Sequence, residues 1–133
     1  MMYGKNTDLA LLLLRIVFGA LMIADHGWKK LLKFFAEGPL EFGDPIGLGA
    51  PLSLVLVVFA EVVCALLIVL GLFTRLASLP LIITMLVAAF VVHGSDGLPK
   101  MEMALLYLTV FVALGLSGPG WYSLDRMRQK PVG

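Results

Sequence analysis

The chain has 133 residues, of which 60% are hydrophobic and 14% are charged, and its mean hydropathy is +0.99. A soluble protein of this size exposes too much surface to water to hide so many apolar side chains. The composition therefore excludes an ordinary soluble protein and indicates an integral membrane protein. The formal net charge of +1 provides no broad basic surface, so we expect no nucleic-acid partner. The length suits a single domain, which we place over residues 1–133.

Four apolar stretches are long enough to cross a hydrocarbon core as helices, which takes roughly 20 residues. They cover approximately residues 9–27, 51–71, 75–92 and 100–117. The first carries Arg15 in its middle and has no convincing small-residue cleavage site, so we interpret it as a retained span and not as a signal peptide. The expected fold is all-α, an integral membrane four-helix bundle.

The connections between the spans differ in character. Residues 28–37 begin with Trp-Lys-Lys-Leu-Leu-Lys-Phe-Phe, an amphipathic pattern that predicts a short interfacial helix after the first span. A loop rich in glycine and proline follows, over 38–51. The other two connections are a few residues each, so neighbouring spans should be antiparallel. A basic tail occupies 121–133.

Four spans place both ends of the chain on one side of the membrane. We expect the termini to lie on the cytoplasmic side, because basic residues are slightly more numerous on the terminal side. On that side are Lys5, Arg75, Arg126, Arg128 and Lys130, and opposite are Lys29, Lys30, Lys33 and Lys100.

A faint internal repeat accompanies the four spans. His26-Gly27 ends the first span and His93-Gly94 ends the third, while Leu70-Gly71 and Leu114-Gly115 close the second and fourth. The pattern fits two helical hairpins related by duplication, and it also fits chance.

Ionisable side chains at membrane depth are expensive, and they normally face the bundle interior and find partners. Such residues here are Arg15, His26, Glu61, His93 and Glu102. At a rise of about 1.5 Å per residue, the levels of Arg15 and Glu61 differ by little enough for the long arginine side chain to bridge. We expect these two to form an ion pair, which either contributes to a ligand site or only fixes helix register.

Helical spacing places further polar residues in line with this pair, which predicts a column of polar side chains through the bundle, called the polar column below. Arg15 and His26 share a stripe of the first helix with Gly19, which would allow close approach of another helix or a ligand. Glu102 and Thr109 share a face of the fourth helix, which brings the Thr109 hydroxyl to about the level of Glu61.

Near the non-terminal surface, His26, His93 and Glu102 are expected to cluster. Two histidines and a carboxylate could bind a metal such as zinc, although no local HxxxH or ExxH spacing supports it. A histidine beside a carboxylate is also suited to relay a proton or to hydrogen-bond a carbonyl oxygen, as a quinone head group in an apolar slot requires. In the simplest alternative both histidines are ordinary interfacial residues.

The order of these residues resembles the DoxX family of small four-helix membrane proteins. The resemblance runs through Leu14-Arg15-Ile16-Val17-Phe18-Gly19, His26-Gly27-Trp28-Lys29-Lys30-Leu31, Ala60-Glu61, Gly71-Leu72-Phe73-Thr74-Arg75-Leu76-Ala77, His93-Gly94, Glu102 and Gly118-Pro119-Gly120-Trp121-Tyr122-Ser123-Leu124-Asp125. It implies a bacterial cytoplasmic-membrane protein. Relatives are described as a membrane subunit of a thiosulfate:quinone oxidoreductase or as parts of complexes that handle oxidative and thiol stress, and distant eukaryotic relatives are tied to cargo export.

The resemblance favours a redox-associated membrane subunit that binds quinone or another amphipathic small molecule in the polar column. Thiol chemistry by the chain itself is disfavoured, since Cys64 is its single cysteine and fits a small buried hydrophobe. No flavin, haem or iron–sulfur motif is recognisable, so electrons would need a partner protein. Two alternatives stand: a non-catalytic scaffold or accessory subunit whose buried charges fix helix packing, and a small proton- or solute-conducting homo-oligomer.

Overall fold

The structure, a computed structural model, describes residues 3–40 and 42–128. Its long helices are α1 (Lys5–Phe35), α2 (Ala50–Leu70), α3 (Thr74–Val92) and α4 (Leu98–Ser117), and a short α5 (Leu124–Arg128) follows. Each long helix is apolar and long enough to cross a membrane, and the described residues include no strand. The predicted all-α, four-span fold is confirmed. The last five residues of the predicted basic tail, 129–133, lie outside the described part.

Helix α1 continues without a break through the segment predicted as a separate interfacial helix. Gly27 keeps right-handed helical angles, φ −64° and ψ −42°, so nothing ends the helix at that point. Its 31 residues extend over about 46 Å, well beyond a hydrocarbon core of about 30 Å. The last turns, with exposed Trp28 and Phe35, therefore reach the headgroup layer.

The four long helices form a closed ring in which α1 packs on α2, α2 on α3, and α3 on α4. Between α4 and α1, the ring of Phe18 meets that of Tyr107 edge-on at 5.6 Å. The shared interior contains Cys64, which is buried as predicted, and Phe111. Residues Lys5 and Ser117 mark one end of the ring, called the Lys5 end below. The opposite end, where α3 finishes, is called the His93 end.

Glycine allows α1 and α2 to approach closely. A Cβ atom on Gly19 would lie 2.6 Å from Cγ2 of Val69, and one on Gly27 would lie 2.7 Å from the carbonyl oxygen of Glu61. The close approach predicted for Gly19 is confirmed.

Three helices contain a π-helical segment: Met22–Gly27 in α1, Phe59–Cys64 in α2 and Val87–Val92 in α3. A π-helical segment has more residues per turn than an α-helix, so it rotates everything beyond it. In α1 the buried stripe consequently passes from Met22 to Gly27 and leaves out His26, which the α-helical spacing had placed on it.

Candidate functional site

A cavity of about 340 Å³ lies between α2 and α3 in the half of the bundle nearer the His93 end. Its walls are largely apolar, with Leu56 from α2 and Ile83 and Val87 from α3, and the loop around Phe42 and Ile46 also borders it. Three ionisable groups line it as well: Lys30, Glu61 and His93. Its size falls within the range of about 300–1,000 Å³ usual for small-molecule sites.

The polar element of this cavity is an ion pair between α1 and α2. Lys30 Nζ donates to both carboxylate oxygens of Glu61, at 2.8 and 2.9 Å. The Glu61 side chain is 2% exposed and that of Lys30 is 28% exposed. The pair cancels two charges that would be costly at membrane depth when alone.

The predicted Arg15–Glu61 ion pair is wrong, and side-chain direction explains why. Side chains on a helix lean toward its N-terminus, and α1 and α2 run antiparallel. Arg15 therefore leans toward the Lys5 end, whereas Glu61 leans toward the His93 end, so the two diverge. Lys30 lies near the far end of α1 and leans back into the membrane, where it meets Glu61.

Arg15 is 1% exposed and is held by main-chain carbonyl groups. Its Nε and Nη2 donate to the oxygens of Ile68 and Val69 at 3.1 and 3.0 Å, and its Nη1 donates to those of Pro119 and Tyr122 at 3.0 and 2.8 Å. Ile68 and Val69 belong to the last turn of α2, where carbonyl groups lack the usual N–H partner four residues on and the helix dipole is negative; the Ile68 oxygen also accepts the Gly71 N–H at 3.1 Å. Arg15 thus caps α2 and does not reach the cavity.

The two histidines occupy different environments. His93 borders the cavity, and its Nδ1 lies 3.0 Å from Oδ2 of Asp96. His26 lies edge-on to the ring of Tyr107 at 5.4 Å and is not part of the cavity wall. Within the described residues its Nε2 has no hydrogen-bond partner, and Asp25 Oδ2 is 3.7 Å away.

Glu102 and Thr109 do share a face of α4, as predicted, but that face points outward. Both side chains are exposed, they border the same shallow groove, and the Thr109 hydroxyl donates to the carbonyl of Leu105 at 2.8 Å. The polar column predicted through Glu61 and Thr109 is therefore wrong. The described residues contain no group of three His, Cys, Asp or Glu placed to hold a metal ion, so the metal alternative of His26, His93 and Glu102 is not assembled.

Sequence reasoning missed Lys30 and the contacts that hold the loop over the cavity. The Ser53 hydroxyl donates to Asp44 at 3.2 Å, and Lys33 lies 5.6 Å from the ring centre of Phe42. The sequence does contain a signal for Lys30, because this residue follows His26 by four residues, on the same helix face, in an amphipathic segment. The two loop contacts have no comparable signal, since they join the irregular segment 42–46 to separate helices.

Known proteins match the part of the chain that builds this cavity. The DoxX family model matches residues 10–94, a range that includes Arg15, Lys30, Glu61 and His93. An uncharacterised protein of Haemophilus influenzae is 38% identical over 120 residues, which covers 84% of this chain and 85% of the relative. No solved structure matches the chain. The family match spans more than half of the chain, and this membrane protein therefore belongs to the DoxX family.

Proposed function

We propose that the chain binds an amphipathic small molecule with a carbonyl-bearing head group, such as a quinone, in the α2–α3 cavity, and that it serves as the membrane subunit of a redox complex. The observation that carries this proposal is the combination of an apolar cavity with one buried ion pair, Lys30–Glu61, on its wall. Sites for such ligands are mostly apolar, with few and well-placed polar groups.

Each end of such a ligand has a matching surface. The ammonium group of Lys30 and the imidazole of His93 are hydrogen-bond donors for head-group oxygens. Asp96 orients the His93 ring through the Nδ1 contact, and an imidazole in this place can pass a proton between the head group and the aqueous side. Ile83 and Val92 line the cavity and are also among the exposed apolar residues, so a ligand can enter from the lipid with its tail outward.

The helical geometry around the cavity also supports a ligand site. Glu61 lies in one π-helical segment, and Val87 and Val92 lie in another. Such segments are uncommon and are frequent at functional sites. Electrons would come from a partner protein, since the chain's single cysteine, Cys64, cannot perform dithiol exchange.

Native mass spectrometry of protein purified in nanodiscs, with added ubiquinone or menaquinone, tests the proposal. We expect a retained quinone in the wild type and a loss of about tenfold in affinity for His93→Asn, the size of one hydrogen bond to a charged or polar group. His26→Asn is the matched control and should bind like the wild type. Failure of the wild type to retain any quinone would refute the proposed ligand, and equal losses in both histidine variants would refute the site.

A second candidate, a non-catalytic scaffold or accessory subunit, is supported by Arg15. Its four hydrogen bonds connect α1 with the end of α2 and with the segment after α4, which is a packing role with no ligand. For this candidate, Glu61→Gln lowers the melting temperature, no small molecule co-purifies, and affinity purification recovers a stable protein partner. Recovery of the chain alone would count against it.

For location, we propose the bacterial cytoplasmic membrane with the Lys5 end facing the cytoplasm. The Lys5 end carries exposed Lys5, Arg75 and Arg128. Of the lysines near the His93 end, Lys29 is paired with Asp25 and Lys30 with Glu61. Positive charge is enriched in cytoplasmic segments. In a Cys64→Ala background, a membrane-impermeant maleimide should label Ser95→Cys from outside the cytoplasmic membrane and spare Gly4→Cys. The reverse pattern would invert the orientation.

A further inference from the structure

A second and larger pocket, about 680 Å³ in volume, lies at the Lys5 end of the bundle. It is an open pocket bordered by the start of α3, the end of α4 and the α5 segment. Its basic residues are Arg75 and Arg128, and its other lining residues include Thr74 and Leu76. The α2–α3 cavity lies toward the opposite end, so the two pockets are separate sites.

The charge of this pocket is not balanced by the part of the chain that the structure describes. Asp125 is its only acidic residue among those described, and its carboxylate accepts the N–H groups of Phe73 and Thr74 at 2.8 and 3.0 Å. Arg128 Nη1 is 3.6 Å from the same carboxylate. Arg75 is exposed, and its guanidinium has no hydrogen-bond or ion-pair partner within residues 3–40 and 42–128, so one positive charge is uncompensated by those residues.

The wall of the pocket also contains a polar group without a partner. Thr74 is fully buried, and its Oγ1 makes no hydrogen bond to any described residue. Buried hydroxyl groups are nearly always hydrogen-bonded, so Thr74 has unused hydrogen-bonding capacity beside the pocket.

The surroundings of Arg75 indicate which kind of anion fits. Arg75 is the second residue of the candidate span Thr74–Val92, and the ends of a span of this length fall near the lipid head groups. From the neighbouring Leu76, an exposed apolar stripe continues down α3 through Leu79 and Ile83, which are 67%, 53% and 62% exposed respectively. Their spacing of three and four residues places them on one helix face, along which an acyl chain can lie. A free inorganic anion would gain nothing from this stripe.

We infer that this pocket binds the phosphate group of an anionic phospholipid, between Arg75 and Arg128, with an acyl chain along the Leu76 stripe. Guanidinium groups bind phosphate oxygens through paired hydrogen bonds, and basic pockets between membrane helices commonly hold anionic head groups. Such a lipid would hold α3, α4 and α5 together at the Lys5 end. The inference does not depend on the proposed quinone site.

The test compares lipid retention by native mass spectrometry after release from nanodiscs of mixed phosphatidylglycerol and phosphatidylcholine. The wild type should retain phosphatidylglycerol preferentially. Arg75→Gln should retain it about fivefold less, which corresponds to about 1 kcal/mol per basic side chain at a lipid surface. The fold should be unaffected, because the Arg75 guanidinium has no hydrogen-bond or ion-pair partner among the described residues, and an unchanged melting temperature in detergent verifies this.

Arg126→Gln is the matched control, since it also replaces one arginine by glutamine at the Lys5 end. Arg126 lies outside this pocket, where its guanidinium stacks on Trp121 at 3.4 Å. It should retain lipid like the wild type. Equal losses in both variants, or no preference of the wild type for the anionic lipid, would overturn the inference. Displacement of the lipid by excess inorganic phosphate would reveal a small-anion site and would overturn the lipid assignment.

Discussion

The buried Arg15 and the partly buried Lys30 are stabilised in different ways. Arg15 distributes its charge over four main-chain carbonyl oxygens, whereas Lys30 concentrates its charge on the single carboxylate of Glu61. The planar guanidinium with its five fixed donors suits the first arrangement, and the compact ammonium group suits the second. The two residues should therefore respond differently to substitution.

Arg15→Lys should be strongly destabilising although the charge is retained. One ammonium group cannot reach the end of α2 and the carbonyls of Pro119 and Tyr122 together, so buried acceptors lose their partners at about 1–3 kcal/mol each. Thermal unfolding in detergent measures the loss. Arg126→Lys, which keeps a cation over Trp121, is the control and should change stability by less than about 1 kcal/mol. Comparable stability of the two variants would contradict the capping role of Arg15.

For Lys30 and Glu61, we expect strongly non-additive substitutions. Lys30→Met leaves the buried Glu61 carboxylate without a counterion, and Glu61→Gln leaves a charged Lys30, which at 28% exposure can still turn toward water. Lys30→Met should therefore be the more destabilising of the two, by up to about 3–5 kcal/mol. The double variant should lose less unfolding free energy than the two single variants lose together. A double-mutant cycle of unfolding free energies measures this. Additive losses would mean that the pair is not coupled.

At the scale of elements, the contact between α1 and α2 controls the position of the cavity's ion pair. The π-helical segments Met22–Gly27 and Phe59–Cys64 lie against each other, and Gly27 allows the α1 backbone to reach the carbonyl of Glu61. The distance between α1 and α2 at this point determines how far the Lys30 side chain must extend to reach the Glu61 carboxylate.

Gly27→Ala should separate the two helices and weaken the ion pair. Its Cβ would lie 2.7 Å from the Glu61 carbonyl oxygen and 2.8 Å from Cγ2 of Val62, too close to be accommodated without backbone movement. Overpacking of this kind typically costs about 1–3 kcal/mol, and thermal unfolding should show it. Gly4→Ala, where a Cβ meets nothing within 4 Å, should be neutral. A neutral Gly27→Ala would show that the helices are not in close contact there.

At the scale of the whole molecule, the number and approximate limits of the spans could be predicted, because bilayer thickness dictates the length of an apolar helix. The side of each helix that faces the bundle interior could not be predicted. Lipid is as apolar as the protein interior, so hydrophobic periodicity does not show that Glu102 and Thr109 point outward. The partners of Arg15 and Glu61 depended on side-chain lean and on π-helical rotation. The lean follows from the antiparallel spans that the sequence predicts, whereas the apolar sequence gives little signal of the π-helical rotation.

The Lys5 end of the molecule is closed by the segment that follows α4, and Asp125 is central to this closure. Its carboxylate accepts two N–H groups at the start of α3, and its own N–H donates to the Gly71 carbonyl at 2.8 Å. Gly71 in turn has positive φ, 69°, and a Cβ there would lie 2.6 Å from Nη2 of Arg15. Asp125 thus joins α5 to the α2–α3 turn and to the environment of Arg15.

We therefore expect Asp125→Ala to loosen the Lys5 end while the rest of the bundle stays intact. Hydrogen–deuterium exchange should rise at least about tenfold in peptides covering 118–128 and the α2–α3 turn, since losing two charge-assisted hydrogen bonds lowers the local opening free energy by more than about 1.4 kcal/mol. Asp96→Ala is the control, because Asp96 contacts only His93 among the described ion pairs and should leave the Lys5 end unchanged. Unaltered exchange in Asp125→Ala would show that Arg15 and the Asp8–Trp121 hydrogen bond are sufficient to keep this end closed.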